Sequence, residues 1–253
     1  MKLEERYLSD FRYIAHRGLH SVSKGIPENS LWAFEEAVKA GVAIELDVRF
    51  TKDKEIVVFH DENTMRMTGV EYIVEETEHY KLGELKLAGT KCGIPLLKEV
   101  LALVDGKVPI LIEVKNEHAV GALERTLMDM LNHYSGKYAI ESFNPLVLLW
   151  FKKNQPAVLR GQLVSESVKV KSCVKTFILK HMCLNFWTKP DFVACDKKDI
   201  GKKNYVRKNQ KLFCWTICSG QELNRFRECC DGFIFENIEG LAYEKKRQRS
   251  NGF

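Results

Sequence analysis

Nine short apolar runs punctuate the chain, several of them followed by a stretch of helical periodicity, and this alternation limits the possible folds more than any other feature. The runs that read as strands are YIAH, AIELDV, IVVFH, ILIEV, YAIESF, VLRGQLV, DFVAC, LFCWTI and DGFIFE. Apolar runs of this length, bounded by breakers, are typical of strands buried on both faces. Between them lie amphipathic stretches such as SLWAFEEAVKAG and LLKEVLALVDG. The first has clear limits, with Ser30 as N-cap, Gly41 just past the end, and Leu31, Phe34, Ala37 and Val38 as an apolar stripe. Repeated strand–helix units predict a parallel sheet, and 253 residues suit a closed TIM-type (β/α)8 barrel.

Nine runs exceed an eightfold count. AIELDV and IVVFH are joined only by RFTKDKE, a hairpin-length link, so one of the two is expected to stand outside the barrel. Which one is not fixed by the pattern. Residues 62–94 hold no clear strand–helix unit and are expected to form a small insertion after the third strand, over one end of the barrel. No linker or internal repeat divides the chain, so residues 1–253 are expected to be a single barrel domain.

Composition narrows the function classes. A hydrophobic content of 45% supports a large core, and a net charge of +5 favours anionic ligands without naming one. The basic residues form no dense stripe of the kind nucleic-acid binders carry, so no nucleic-acid partner is expected. The N-terminal residues show no apolar signal region, and no apolar run is long enough to span a bilayer. Eight cysteines occur without a CxxC pair or a zinc-like spacing, which reads as reduced thiols in a cytoplasmic protein.

The chemistry gathers where a barrel keeps its active site, at the C-terminal ends of the strands. His16 and Arg17 close the first run; Glu45 and Asp47 are two apart on the second and so share a face; His60 and Asp61 end the third; Glu113 and Lys115 are two apart on the fourth. Taken singly, each has an ordinary structural reading: a solvated face, a satisfied histidine, a cross-face ion pair. Burial of such groups is costly unless they are paired or bind a metal, and four successive strand ends carrying them is a joint pattern. Glu45, Asp47 and Glu113 offer hard oxygen ligands suited to Mg²⁺ or Ca²⁺. His16 and His60 supply an acid and a base, Arg17 a fork and Lys115 a point charge for phosphate oxygens. Together they point to phosphate-ester cleavage.

The ordered set of motifs resembles the glycerophosphodiester phosphodiesterase family. The matching pieces run from HRG at His16 and PENS at Pro27 through IELDV, TKD, VVFHD, RMTG, IPLLKEVL, IEVK, SFNP and CWT to DGFI at Asp231. The resemblance implies a TIM-type barrel that hydrolyses a small-molecule glycerophosphodiester to glycerol 3-phosphate and an alcohol. It implies His16 and His60 as the acid/base pair, and Glu45, Asp47 and Glu113 as ligands of a divalent metal, Mg²⁺ or Ca²⁺. Arg17 and Lys115 are implied to hold phosphate, Glu28 to lie near the metal or the glycerol, and Phe143 and Trp215 to wall the pocket. One departure stands out. Where the family commonly has a Thr-Asp-x-Pro turn after the last strand, this chain has IFENIEG, with Glu236 in the aspartate's place.

Two alternatives stay open at this level. Residues 167–190 carry five lysines and no acidic residue, interleaved with Phe177, Ile178, Leu179, Leu184, Phe186 and Trp187. That composition fits either an ordinary barrel helix or weak peripheral contact with an anionic membrane, and contact of that kind would suit lysophospholipase D-like cleavage. A barrel that binds phosphodiesters without turnover would be expected to lack a histidine or a ligand carboxylate, and this chain lacks neither.

Overall fold

The computed structural model describes residues 8–116, 118–167, 182–207 and 210–238. All nine sequence-read strands form, as β1 (Tyr13–Ala15), β2 (Ala43–Phe50), β3 (Ile56–Val58), β4 (Ile110–Val114), β5 (Tyr138–Ser142), β6 (Arg160–Val164), β7 (Phe192–Asp196), β8 (Lys211–Ile217) and β9 (Gly232–Phe235). Eight of them pair in parallel in the order β1-β2-β4-β5-β6-β7-β8-β9, and β9 pairs back onto β1, which closes a (β/α)8 barrel. The extra strand is β3. It pairs antiparallel with the last three residues of β2, Val48 to Phe50, because the Thr51–Glu55 link is too short for a parallel crossover. β2 therefore projects past the barrel rim, and β3 folds the chain back to it; the Phe59 N–H donates to the Asp47 carbonyl (2.9 Å).

Alternation along the strands separates two cores. Ile44, Leu46 and Val48 pack outward with Phe34, Leu97 and Val100 of the surrounding helices. Residues of the opposite parity, Ala43, Leu111 and Ala139, join Phe192, Phe213 and Phe11 inside the barrel. Room for these rings comes from missing side chains: a Cβ at Gly161 would lie 2.0 Å from the Phe192 ring. Following the inward parity upward from Ala43, Leu111 and Ala139 leads to Glu45 and Asp47, Glu113, and Glu141. The interior is thus apolar at its base and acidic at its mouth.

The helix Leu31–Ala40 has the limits its sequence implies. Ser30 Oγ accepts from the Ala33 N–H (3.2 Å), and Gly41 takes the left-handed conformation at φ +68°. The insertion after β3 is built from short turns and the helices Met65–Thr68 and His79–Glu84. It has a small core of its own, in which Val57, Phe59, Met67, Val74, Leu82, Leu87 and Ile94 are buried together. Most of the basic 167–190 segment, residues 168–181 with Lys175 and Lys180, lies outside the described residues. Among the described residues no helix is long and apolar enough to cross a membrane.

Candidate active site

His16 directly follows β1, and the turn after it is tight. Arg17 sits at φ +54° and Gly18 at φ +81°. A Cβ on Gly18 would lie 2.8–2.9 Å from Ala33 atoms, so only glycine lets the start of the Leu31–Ala40 helix approach this strand end. The turn aims its polar groups into the mouth. The Arg17 backbone N–H donates to Glu45 Oε2 (2.8 Å), Nη1 donates to Glu28 Oε1 (2.6 Å), and Nε lies 3.5 Å from Asp47 Oδ2.

Glu45, Asp47 and Glu113 are all buried, and each offers an oxygen within 4.8 Å of the others. The β2–β4 register places Asp47 beside Glu113, and the β4–β5 register adds Glu141 beside Glu113. Lys115 Nζ bridges Glu113 Oε1 (2.7 Å) and Asp47 Oδ1 (3.1 Å), and Asn29 Nδ2 donates to Asp47 Oδ2 (2.8 Å). Four carboxylates thus face two cations, Arg17 and Lys115, and full ionisation leaves two negative charges uncompensated.

The titration behaviour follows that imbalance. Burial, with the charges of Asp47, Glu141 and Glu113 added, pushes the Glu45 carboxyl well above the usual range. Burial also raises Glu141, with the charge of Glu113 adding to it. Burial raises Glu113 to about 7 against the opposing pull of Lys115. Asp47 goes the other way: burial is outweighed by Lys115, His60 and Arg17, which hold it far below the usual carboxylate range. Glu45 Oε1 and Glu141 Oε2 are buried without a hydrogen-bond partner. An all-oxygen donor set, surplus negative charge and orphaned oxygens fit a hard divalent cation.

The two histidines enter from different elements. His16 Nδ1 is bound to Glu236, which follows β9, and its Nε2 points toward Glu45 Oε2 at 3.9 Å. Glu236 also lies 3.8 Å from His20 Nε2. Burial is the largest influence on both members of the pair: it lowers the His16 pKa, and it opposes the two histidines that hold Glu236 low. His60 reaches the mouth through the β2–β3 hairpin. Its Nδ1 meets Asp61 Oδ1 at 2.7 Å, Arg49 Nε donates to its carbonyl (3.0 Å), and burial pushes its imidazole down to about 4. Arg66, from the insertion, clamps this arrangement by donating to Asp61 (2.6 Å) and with both terminal nitrogens to Glu28 (2.7 and 3.1 Å).

The ten residues expected from sequence take distinct places. His16, Arg17, Glu45, Asp47, His60, Glu113 and Lys115 converge at the mouth. Glu28 is held between two guanidiniums, beside the carboxylate cluster rather than in it. Phe143 lines a cavity of about 300 Å³ with His60, Asp61, Glu113 and Lys115. Trp215 does not line that cavity; it packs edge-on against Phe143 (5.9 Å) and donates through Nε1 to the Ala194 carbonyl. Asn29, His20, Arg66 and Glu141 had no role in the sequence reading. Asn29 was within reach, as the amide of the quoted PENS motif.

Comparison with known proteins adds to the geometry. The chain matches the model of the Glycerophosphoryl diester phosphodiesterase family over residues 16–239. A glycerophosphodiester phosphodiesterase of Caldanaerobacter subterraneus is 33% identical over 248 residues, covering 90% of this chain and 95% of that protein. A Homo sapiens lysophospholipase D is 33% identical over 148 residues, 53% of this chain and 45% of that protein. An Oleispira antarctica phosphodiesterase, solved in complex with the product sn-glycerol-3-phosphate, superposes with a TM-score of 0.72 at 21% identity, over 94% of this chain and 96% of that one. A Thermotoga maritima glycerophosphodiester phosphodiesterase gives 0.67 at 23% identity, over 88% and 93%. At such identities the superpositions establish the barrel fold.

Proposed function

The chain belongs to the glycerophosphoryl diester phosphodiesterase family, and on that premise we propose that its barrel mouth cleaves glycerophosphodiesters with one divalent cation and two histidines. The enzyme class is phosphoric diester hydrolase; the products of the proposed reaction are glycerol 3-phosphate and an alcohol. The observation that carries the proposal is the buried Glu45–Asp47–Glu113 cluster, with His16 Nε2 3.9 Å from Glu45 and His60 lining one cavity with Glu113.

These three carboxylates would hold the cation, Mg²⁺ or Ca²⁺, which when bound supplies charge to a phosphoryl oxygen and makes a neighbouring hydroxyl more acidic. Glu236 and Asp61 fix the Nδ1 sides of His16 and His60, which leaves each Nε2 for proton transfer. One imidazole takes the proton of the glycerol 2-hydroxyl as its oxygen bonds to phosphorus. The other donates a proton to the alcohol oxygen as that bond to phosphorus breaks. Water then opens the cyclic phosphate with the two roles exchanged. Arg17 and Lys115 orient the phosphate with donors that their carboxylate partners leave free. A single domain over 1–253 and a reducing, cytoplasmic setting belong to the same proposal; the seven described cysteines are free thiols.

The test is glycerol 3-phosphate release from glycerophosphocholine and glycerophosphoethanolamine with Mg²⁺, Ca²⁺ or EDTA, for the wild type and His16→Ala. Turnover abolished both by EDTA and by the substitution is expected. Turnover that survives either one refutes the corresponding half of the mechanism.

A further inference from the structure

The proposed reaction uses no cysteine, yet two of the described cysteines stand together. Cys229 and Cys230 lie just before β9, at the end of that strand away from Glu236 and the mouth. Their backbone N–H groups both donate to the Phe226 carbonyl (3.1 and 3.0 Å), which winds the pair into a helical turn. Adjacent residues of such a turn ordinarily point apart. Here the two Sγ atoms are 3.7 Å from each other.

The two sulfurs have different surroundings. Cys229 is exposed, and its thiol donates to the Phe226 carbonyl (3.4 Å). Cys230 is 6% exposed and belongs to the outer core together with Cys214. A thiol–thiol hydrogen bond between Cys214 and Cys230 raises the pKa of the first and lowers that of the second, which favours thiolate on the inner sulfur of the pair. An outer thiol that small molecules reach, against an inner one that they do not, is the arrangement of an attacking and a resolving cysteine.

We propose that Cys229 and Cys230 form a redox-active dithiol that closes to a disulfide by exchange with a small-molecule disulfide of the glutathione type. The Cys229 thiolate attacks one sulfur of the small disulfide, whose S–S bond breaks and releases a first thiolate. The Cys230 thiolate then attacks the Cys229 sulfur, and the second small thiolate leaves. Each leaving thiolate takes up a proton given up by a cysteine. The dithiol thus loses two electrons and two protons, and the small disulfide becomes two thiols. Adjacent Cα atoms are about 3.8 Å apart, short of the usual disulfide span, so the bridge reopens readily with a reducing thiol.

The experiment incubates the native full chain with glutathione disulfide, quenches with acid and maps tryptic peptides by mass; the peptide beginning at Glu228 carries both cysteines. The wild-type peptide is expected to lose two hydrogens without retaining glutathione, and dithiothreitol to restore them. Cys229→Ser should slow reaction at Cys230 at least about tenfold, and Cys230→Ala should stop at a glutathione adduct on Cys229. Exposed Cys218, whose thiol meets the Thr216 carbonyl (3.6 Å) rather than another sulfur, should also stop at the adduct. A wild-type chain that keeps both thiols, retains glutathione on Cys229 or bridges Cys230 to the Cys214 peptide overturns the proposal. So does a Cys229→Ser chain whose Cys230 reacts at the wild-type rate. Because replacing buried Cys230 can unfold the chain, an arylarsenoxide gives a second reading on the wild type alone. It condenses with two neighbouring thiols and releases water, so one bridging arsenic on the Glu228 peptide is expected, with oxidation then blocked. A peptide that takes up no bridging arsenic refutes the pairing.

Discussion

Replacing Glu113 with glutamine is predicted to stabilise the cation-free protein and to destabilise the loaded one relative to wild type. The argument starts from surplus charge. Glu113 shares Lys115 with Asp47, and Glu45 and Glu141 add two further buried carboxylates. Burial raises its carboxyl from the usual 4.5 to about 7. Between those two pH values the folded chain keeps a proton that the unfolded chain has shed, so stability falls as pH rises through the interval. At about 1.4 kcal/mol per pH unit the loss is on the order of 3 kcal/mol, complete above pH 7. Glutamine removes the charge and keeps an acceptor for Lys115. At pH 8 in EDTA the variant should therefore melt about 6–12 °C above wild type, using about 2–4 °C per kcal/mol for a chain of this size. At pH 4, where the carboxyl is protonated in both states, the two should coincide. Adding Mg²⁺ or Ca²⁺ at one thousand times its dissociation constant should return about 4.1 kcal/mol to wild type and little to the variant, which reverses the order. Thermal melts at the two pH values with and without cation provide the assay. A variant less stable than wild type at pH 8 in EDTA would refute the reasoning, because Glu113 would then be a net stabilising partner of Lys115.

Two further outcomes follow from the turns that hold His16. Glu236→Gln should lower kcat on glycerophosphocholine by at least about 10²-fold with little change in KM, and Glu236→Asp should recover part of it, since a carboxylate is what fixes Nδ1; an unchanged kcat in the glutamine variant would strip Glu236 of that role. Gly18→Ala should cost about 2 kcal/mol or more in urea denaturation, because its Cβ meets Ala33 at 2.8 Å in a left-handed conformation; a loss below about 0.5 kcal/mol would show that the turn relaxes freely.

Strand positions were legible because burial on both faces writes itself into short apolar runs, and all nine runs became strands. Pairing direction was less so. The Thr51–Glu55 link implied a hairpin, yet whether β2 or β3 joined the barrel depended on β2 reaching β1 and β4, contacts 29 and 66 residues distant in sequence. Glu45 and Asp47 were readable from their i, i+2 spacing on one strand, and Glu113 from the same spacing to Lys115 at the end of another. Glu141 was not, because it has no acidic neighbour on its own strand and becomes part of the cluster only through its register with Glu113. Glu236 shows the same limit more sharply: its partner His16 stands 220 residues away, so position in the sequence could mark its oddity but not its contact. Arg66 lay in a quoted motif, but its reach to Glu28 and Asp61 depends on how the insertion folds over the rim.

The insertion's private core changes how the catalytic apparatus can fail. Glu45, Asp47 and Glu113 stand on strands of the closed barrel, whereas His60, Asp61 and Arg66 depend on a hairpin and a small cluster around Phe59 and Met67. Segments with few long-range contacts open at lower free energy than the frame that carries them. Under the proposed mechanism, cation retention and turnover would therefore rest on parts of unequal endurance. On the proposed mechanism, heating is expected to release the insertion first, leaving a state that would hold the cation and lack His60 as its proton carrier.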